Sequence, residues 1–335
     1  MLRLVLRRLA QLPLILAVIY TLTLALAWAV PGNPLENPEG RRPPQEVVEA
    51  MKRQYNLDSF WTFYGSYLKN ASGITYLSDR LSGRIEAERQ AAAAAGVAPP
   101  ERRIFDLGPS LQYRDRNVNE IIAASLPVSM TLGGAAILLA LVIGLAAGII
   151  GAVKPNSFAD LCTLGLALVG ISLPTFVIGT VLQVVFAVWL GWFRFGGWGQ
   201  PRDLVLPTIT LSLPFAAYIA RLTRMGMLEC LNADYIRTAR AKGVSESAIL
   251  LRHALKNAFL PVLSYLGPAT AMAMTGSFVV ERVFIVPGMG QFFVNAVQNK
   301  DLFLIIGVVL IFATMLILFN LIVDVLYRWV DPRIA

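Results

Sequence analysis

The chain has 335 residues, of which 56% are hydrophobic and 15% charged, whereas about a quarter of the residues of a soluble domain are charged. One histidine rules out His clusters and HExxH metal sites, and two cysteines, Cys162 and Cys230, provide no disulfide framework. The net charge of +8 invites a nucleic-acid reading, but it follows the loops between apolar runs and so reads as membrane topology.

Six runs lack Asp, Glu, Lys and Arg: 9–35, 121–153, 161–193, 204–220, 257–280 and 302–323. A helical span needs about 20 apolar residues, with a range of about 17–25. The predicted fold class is therefore an all-α integral membrane protein with six transmembrane helices, five to seven being compatible with composition. The fourth run has only 17 residues and reaches a full span if Arg221 or Arg224 snorkels to the interface.

Residues 1–30 form the first predicted span. Its basic start and Ala27-Trp28-Ala29 also resemble a secretory signal, but signal cores run to about 7–15 apolar residues. The longer run favours a retained helix.

Residues 31–120 form an extracytoplasmic segment. Pro31, Pro34, Pro38, Pro43 and Pro44 predict an extended start. QEVVEAMKRQYNL places Val47, Val48, Met51 and Tyr55 on one helical face. SFWTFYGSYL is aromatic-rich, as membrane-interface segments are. LSGRIEAERQAAAAAG reads as an alanine-rich helix stopped by Gly96 and Pro99-Pro100. Its bland reading, a tolerated insertion, stands beside a functional one.

Residues 121–335 form a five-helix core. Prolines at 127, 174, 207, 214 and 268 and the run GGAAILLALVIGLAAGIIGA describe a closely packed polytopic bundle. With the N-terminus inside, the inner segments 1–8, 154–160, 221–256 and 324–335 carry a net +7 and the outer ones +1. Both termini are thus predicted to be cytoplasmic.

There is no Gly-Lys dipeptide, hence no Walker A loop, and no GxSxG. His253 falls outside every span, which argues against a membrane-embedded serine enzyme. Glu281, Arg282, Asp301 and Asp324 sit near span ends. The interiors offer neutral groups such as Ser129, Thr131, Gln183, Thr275, Ser277 and Asn320, so a proton relay is disfavoured. A transporter of this kind takes its energy from another chain.

The basic loop at about 229–260 is where that energy would enter. Asp234 is predicted to cap a helix over YIRTARAK, Gly243 to end it in a left-handed conformation, and Ser245 to cap a second helix, ESAILLRHALKNAFL. Regular α-helical spacing puts Leu251, Leu255, Ala258 and Phe259 on one stripe, and Arg252 and Lys256 on another. Docking to a protein partner and lying on anionic lipid both fit this pattern.

The loop resembles the coupling loop of ABC importer permeases. Arg237-Thr238-Ala239 stands where that family has Glu-Ala-Ala, followed by Gly243 and Leu255, with Lys256 in place of a proline. RTARAKG and LLRHALKNA are similar to the variant in B-type subunits of oligopeptide permeases. So are FDLGPSLQYRDRNVNEIIAASLPVS (105–129), LPVLSYLGP (260–268), VFIVPGMGQFFVNAV (283–297) and LFNLIVDVLYRWVDPRIA (318–335). The resemblance covers about 105–335 and the first span.

The resemblance implies one of two permease subunits of a peptide importer in a bacterial inner membrane. Its partners would be a C-type sister permease, two cytoplasmic ATPases that bind ATP and Mg, an extracytoplasmic peptide-binding protein and membrane lipid, with no nucleic acid. The chain would hold no cofactor, metal or catalytic residue of its own. Asp234, Tyr235, Arg237, Thr238, Ala239, Arg240, Ala241, Lys242, Gly243, Arg252, His253, Leu255, Lys256 and Asn257 would form the ATPase-coupling surface. The 31–120 segment would contact the binding protein, partly cover the pathway mouth, or cap the bundle. Alternatives keep the machinery and change the cargo to dipeptides, nickel chelates, opines or sugars. From another class come a stand-alone channel or a membrane scaffold.

Overall fold

The computed structural model describes residues 2–30, 45–98, 101–113, 115–275 and 277–330. The prolines at 31–44 and Pro99-Pro100 lie outside these residues. Among the described residues the architecture is helical, with one isolated antiparallel bridge between Pro109 and Asn117.

Four continuous helical segments are long and apolar enough to cross a membrane. They lie in α1 (Leu2–Ala29), α6 (Val118–Val153), α9 (Val205–Leu231) with the 3₁₀ turn before it, and α16 (Leu302–Val330). The two remaining predicted spans are bent, one within its apolar run and one at its margin, where the 229–260 loop leads in. α7 (Phe158–Ser172) meets α8 (Thr175–Gln183), which runs on as a π turn to Trp189, at a bend of 104°. The cause is local: Leu173 precedes Pro174 and is held extended, at φ −83° and ψ 131°. The stretch from α11 (Glu246–Ala248) to α12 (Leu255–Ala258) meets α13 (Leu260–Met274) at 56°, with a proline, Pro261, in the first turn of α13. Counting each bent pair as one span gives six. By contrast, Pro127, Pro214 and Pro268 are absorbed within helices. α9 runs past the 17-residue apolar stretch, and Arg224 turns to an acidic partner described below.

The chain divides into two compact units, and α1, α6, α15 (Met289–Gln298) and α16 contribute residues to both. The first unit holds residues 1–13, 125–291 and 312–335. Its core gathers Leu132, Ile137, Phe215, Ile219, Val262 and Phe284. α6 approaches α9 through Gly144 and Gly148, where a Cβ would come within 2.7 Å of Ile219 and 2.5 Å of Thr223.

The spans are less neutral than composition suggested. Glu281, in α14 (Phe278–Val283), is fully buried. It accepts from the Ser129 hydroxyl at 2.8 Å and the Gln291 N–H at 3.2 Å, and Ser129 in turn accepts from the Met289 N–H at 2.8 Å. A side chain at Gly288 would occupy the carboxylate's place. A buried carboxylate is tolerated here because backbone and hydroxyl donors replace its water.

The second unit holds residues 14–124 and 292–311. Within it lie α2 (Gln45–Gln54), α3 (Phe60–Ala71), α4 (Ile74–Leu81) and α5 (Arg84–Ala94). The alanine-rich helix is shorter than predicted: Gly83, at φ +71°, separates Leu81 from it, and Gly96, at φ +63°, follows its end. The SFWTFYGSYL aromatics turn largely inward. Tyr67 stacks on Tyr20 at 5.5 Å, Phe63 meets Phe303 edge-on at 5.2 Å, and Tyr20 donates to the Tyr64 carbonyl at 2.9 Å. Trp61 stays outside, 75% exposed. Asp301 is buried at the start of α16, accepting from Ser110, from the Gln112 N–H at 3.2 Å and from the Leu304 N–H at 3.1 Å.

Candidate functional site

The 229–260 loop folds as two short helices hinged at a glycine. α10 (Asp234–Ala241) begins one residue earlier than the sequence implied. Ala233 is the N-cap, and Asp234 is the first helical residue, its carboxylate turned outward to Arg237 at 3.4 Å. It still lies at the positive end of the helix dipole. Thr238 donates to the Asp234 carbonyl at 3.0 Å.

The end of α10 is as predicted. Gly243 has φ +74°, its N–H bonds the Arg240 carbonyl at 3.0 Å, and the Val244 N–H bonds the Ala239 carbonyl at 3.2 Å. This paired closure calls for a left-handed residue, which glycine supplies without Cβ strain. Arg240 crosses the hinge to Glu246 at 2.7 Å, and that bond holds its guanidinium above the ordinary arginine value.

The second helix departs from regular winding. Ser245 is its N-cap by position, yet its hydroxyl makes no capping bond and lies 3.5 Å from Ser247. Ile249–Ala254 then forms a π turn, in which the bond reaches the fifth residue rather than the fourth. The buried face therefore consists of Ile249, Ala254 and Ala258, packed with Ile236, Met227 and Ala152. The predicted stripe is displaced: Leu251 is 59% exposed, and Leu255 and Phe259 are half-buried.

Most of the remaining predicted residues are exposed on the two short helices. Tyr235, Arg237, Ala241, Lys242, Arg252, His253, Lys256 and Asn257 are exposed, and Ala239 is half-buried against the cluster. Asn257 donates to the Tyr235 hydroxyl at 3.2 Å, tying the second helix to the first. Lys242, Arg252 and Lys256 make no ion pair among the described residues. The loop therefore presents an ordered surface with unpaired positive charge and one protruding leucine.

Two buried features were missed in the sequence: the Glu281 cradle and an Asp160–Arg224 pair. A signal for each was present, in the glycines of VPGMGQ close after Glu281 and in ionisable residues at the margins of apolar runs.

The family model for the inner membrane component of binding-protein-dependent transport systems matches residues 140–335. The chain belongs to this family. This permease is 41% identical to the oligopeptide transport system permease protein OppB of Salmonella typhimurium over 337 residues, covering 100% of this chain and 99% of that protein. It is 38% identical to the dipeptide transport system permease protein DppB of Bacillus subtilis over 318 residues, covering 95% and 92%. Among solved structures, an inward-facing form of the MetNI methionine ABC transporter matches with a TM-score of 0.50 at 15% identity, over 64% of this chain and 97% of that one. That likeness shows the fold alone. The family resemblance carried by the loop and the terminal motifs is borne out.

Proposed function

We propose that this permease is one of two membrane subunits of an ATP-driven importer that carries oligopeptides across a bacterial inner membrane. The observation that carries the reading is the 41% identity, over the whole chain, to a permease named for oligopeptide transport. In this reading the 229–260 loop receives the ATPases. Its exposed cations Lys242, Arg252 and Lys256 suit an acidic rim, and the fixed Gly243 hinge suits a groove that must recognise one shape. ATP and Mg belong to the ATPase subunits, and the chain conducts without chemistry of its own. A C-type sister completes the pathway, and a binding protein delivers cargo to the 31–120 segment. The loop and both termini face the cytoplasm, as the +7 against +1 charge split favours.

Dipeptide cargo is the second reading, favoured by the 38% identity to a dipeptide permease. The test is purification from native membranes in mild detergent, with mass spectrometry of the co-purifying chains. A sister permease, ATPases and a peptide-binding protein support the reading. This chain alone, from a preparation that keeps other membrane complexes whole, favours a channel or scaffold.

A further inference from the structure

Four residues within one short stretch of α9, 223–227, touch α6, α7 and the 229–260 loop. Thr223 faces Gly148 of α6, so closely that a Cβ there would overlap it at 2.5 Å. Gly226 lies against Ala258, at the end of the 229–260 loop, where a Cβ would meet the alanine's backbone at 3.0 Å. Met227 is fully buried among Ile236, Ile249 and Ala254 of the same loop. Between them Arg224 reaches α7. Its Nε donates to Asp160 Oδ1 at 2.6 Å and its Nη2 to Oδ2 at 2.7 Å. Asp160 is fully buried and also accepts from the Asn156 N–H at 2.8 Å. Gly151 of α6 makes room for the pair: a Cβ there would lie 2.9 Å from Asp160 Oδ1 and 3.2 Å from Arg224 Cδ.

Farther along, α7 meets α9 through small and apolar groups, such as Gly170 beside the Leu213 carbonyl. A cavity of about 360 Å³, lined in part by Ala167, Gly170, Leu173, Leu213 and Ala217, opens beside that contact. Apolar contact has no preferred direction and permits tilt. A forked ion pair fixes both distance and angle. The loop is thus seated on α9, and among the described residues α9 is tied directionally to α7 by the Arg224–Asp160 pair. From α7 the chain runs directly into the 104° bend.

We propose that Arg224 and Asp160 are positioning residues for transport: the pair is the joint that passes movement of the 229–260 loop, through α9, to the broken span α7–α8. The proposal rests on the reading of the loop as the ATPase contact. Burying an ion pair at the margin of a span is costly, and a pair needed only for cohesion is often replaceable by apolar packing, which makes a mechanical role the better account of this one.

The test uses the complete complex in proteoliposomes. Arg224→Lys keeps a cation and loses the fork. The double variant Asp160→Asn with Arg224→Gln removes both charges and leaves neither orphaned. Both are expected to insert and assemble at wild-type yield, with unchanged ATP hydrolysis in the absence of peptide. Uptake is expected to fall roughly tenfold, with ATP consumed per peptide rising by about the same factor, within the range that single coupling positions carry. Unchanged uptake and stoichiometry in the assembled variants would overturn the proposal. So would loss of uptake that only tracks loss of assembled complex, which would make the pair a static brace. Failure of the wild-type complex to take up peptide with ATP would instead defeat the functional reading itself.

Discussion

The 229–260 loop and the 45–113 segment are both helical and rich in charge, yet they use their arginines differently. In the 45–113 segment Arg84, Arg102 and Arg103 tie helices to one another or to the stretch after α5. Buried Asp79 holds Arg84 at 3.1 Å and Arg102 at 3.3 Å, Arg102 also holds Glu88 at 2.7 Å, and Arg103 bridges Glu101 and Glu120 at 3.0 and 2.6 Å. Over 36–120 the charges balance at 12 of each sign. The loop spends one strong pair, Arg240 with Glu246, on its own hinge and leaves Lys242, Arg252 and Lys256 facing outward. A segment with balanced charge presents no field of one sign, whereas a surplus of exposed cations favours an anionic partner.

The contrast can be broken first at the loop's buried face. Ile249→Ala should cost about 2–5 kcal/mol, as large-to-small changes in a closed core do, while Leu251→Ala should stay within about 0.5 kcal/mol. Denaturant unfolding of the purified permease measures both, and reversed costs would show that the π turn is absent. In the 45–113 segment, Arg102→Ala should cost about 1–2 kcal/mol, less than a buried charged hydrogen bond because water screens the half-open pair with Glu88. Faster proteolysis within 80–103 would register it, with ATPase co-purification unchanged. Gly243→Val should cost about 1–2 kcal/mol through backbone strain alone, because the site has open space for a side chain. Membrane insertion should persist while ATP-driven uptake is lost, and normal uptake would count against the hinge as a docking element. The smallest effect is expected at Ser245→Ala, within about 0.5 kcal/mol, although N-cap serines commonly contribute about 1 kcal/mol. A full capping loss would mean that the Ser245 hydroxyl does bond its helix.

Much of this was legible in the sequence wherever one local cause dominated. Apolar length marked the four continuous spans among the described residues and both bent pairs, and Gly243 marked the hinge because few other residues accept a positive φ. Legibility failed where a distant partner decided. The 3.6-residue rule put Leu251 on one stripe with Ala258, but across the π turn Ala258 is buried with Met227 and Ile236 while Leu251 is exposed. Span composition promised neutrality, yet Ser129, which lies 152 positions away in the chain, and the Gln291 N–H make Glu281 tolerable. Pro174 breaks its span while Pro127, Pro214 and Pro268 do not, a distinction that proline alone does not announce.

The central claim is that the unpaired cations of the loop receive the ATPases. It is tested most directly by a permease carrying Lys242→Glu, Arg252→Glu and Lys256→Glu together, measured for ATPase co-purification and for ATP-driven uptake of a labelled oligopeptide. The account predicts normal insertion, loss of the ATPase subunits from the purified complex, and loss of uptake. ATPases retained at wild-type stoichiometry, with uptake unchanged, would contradict it.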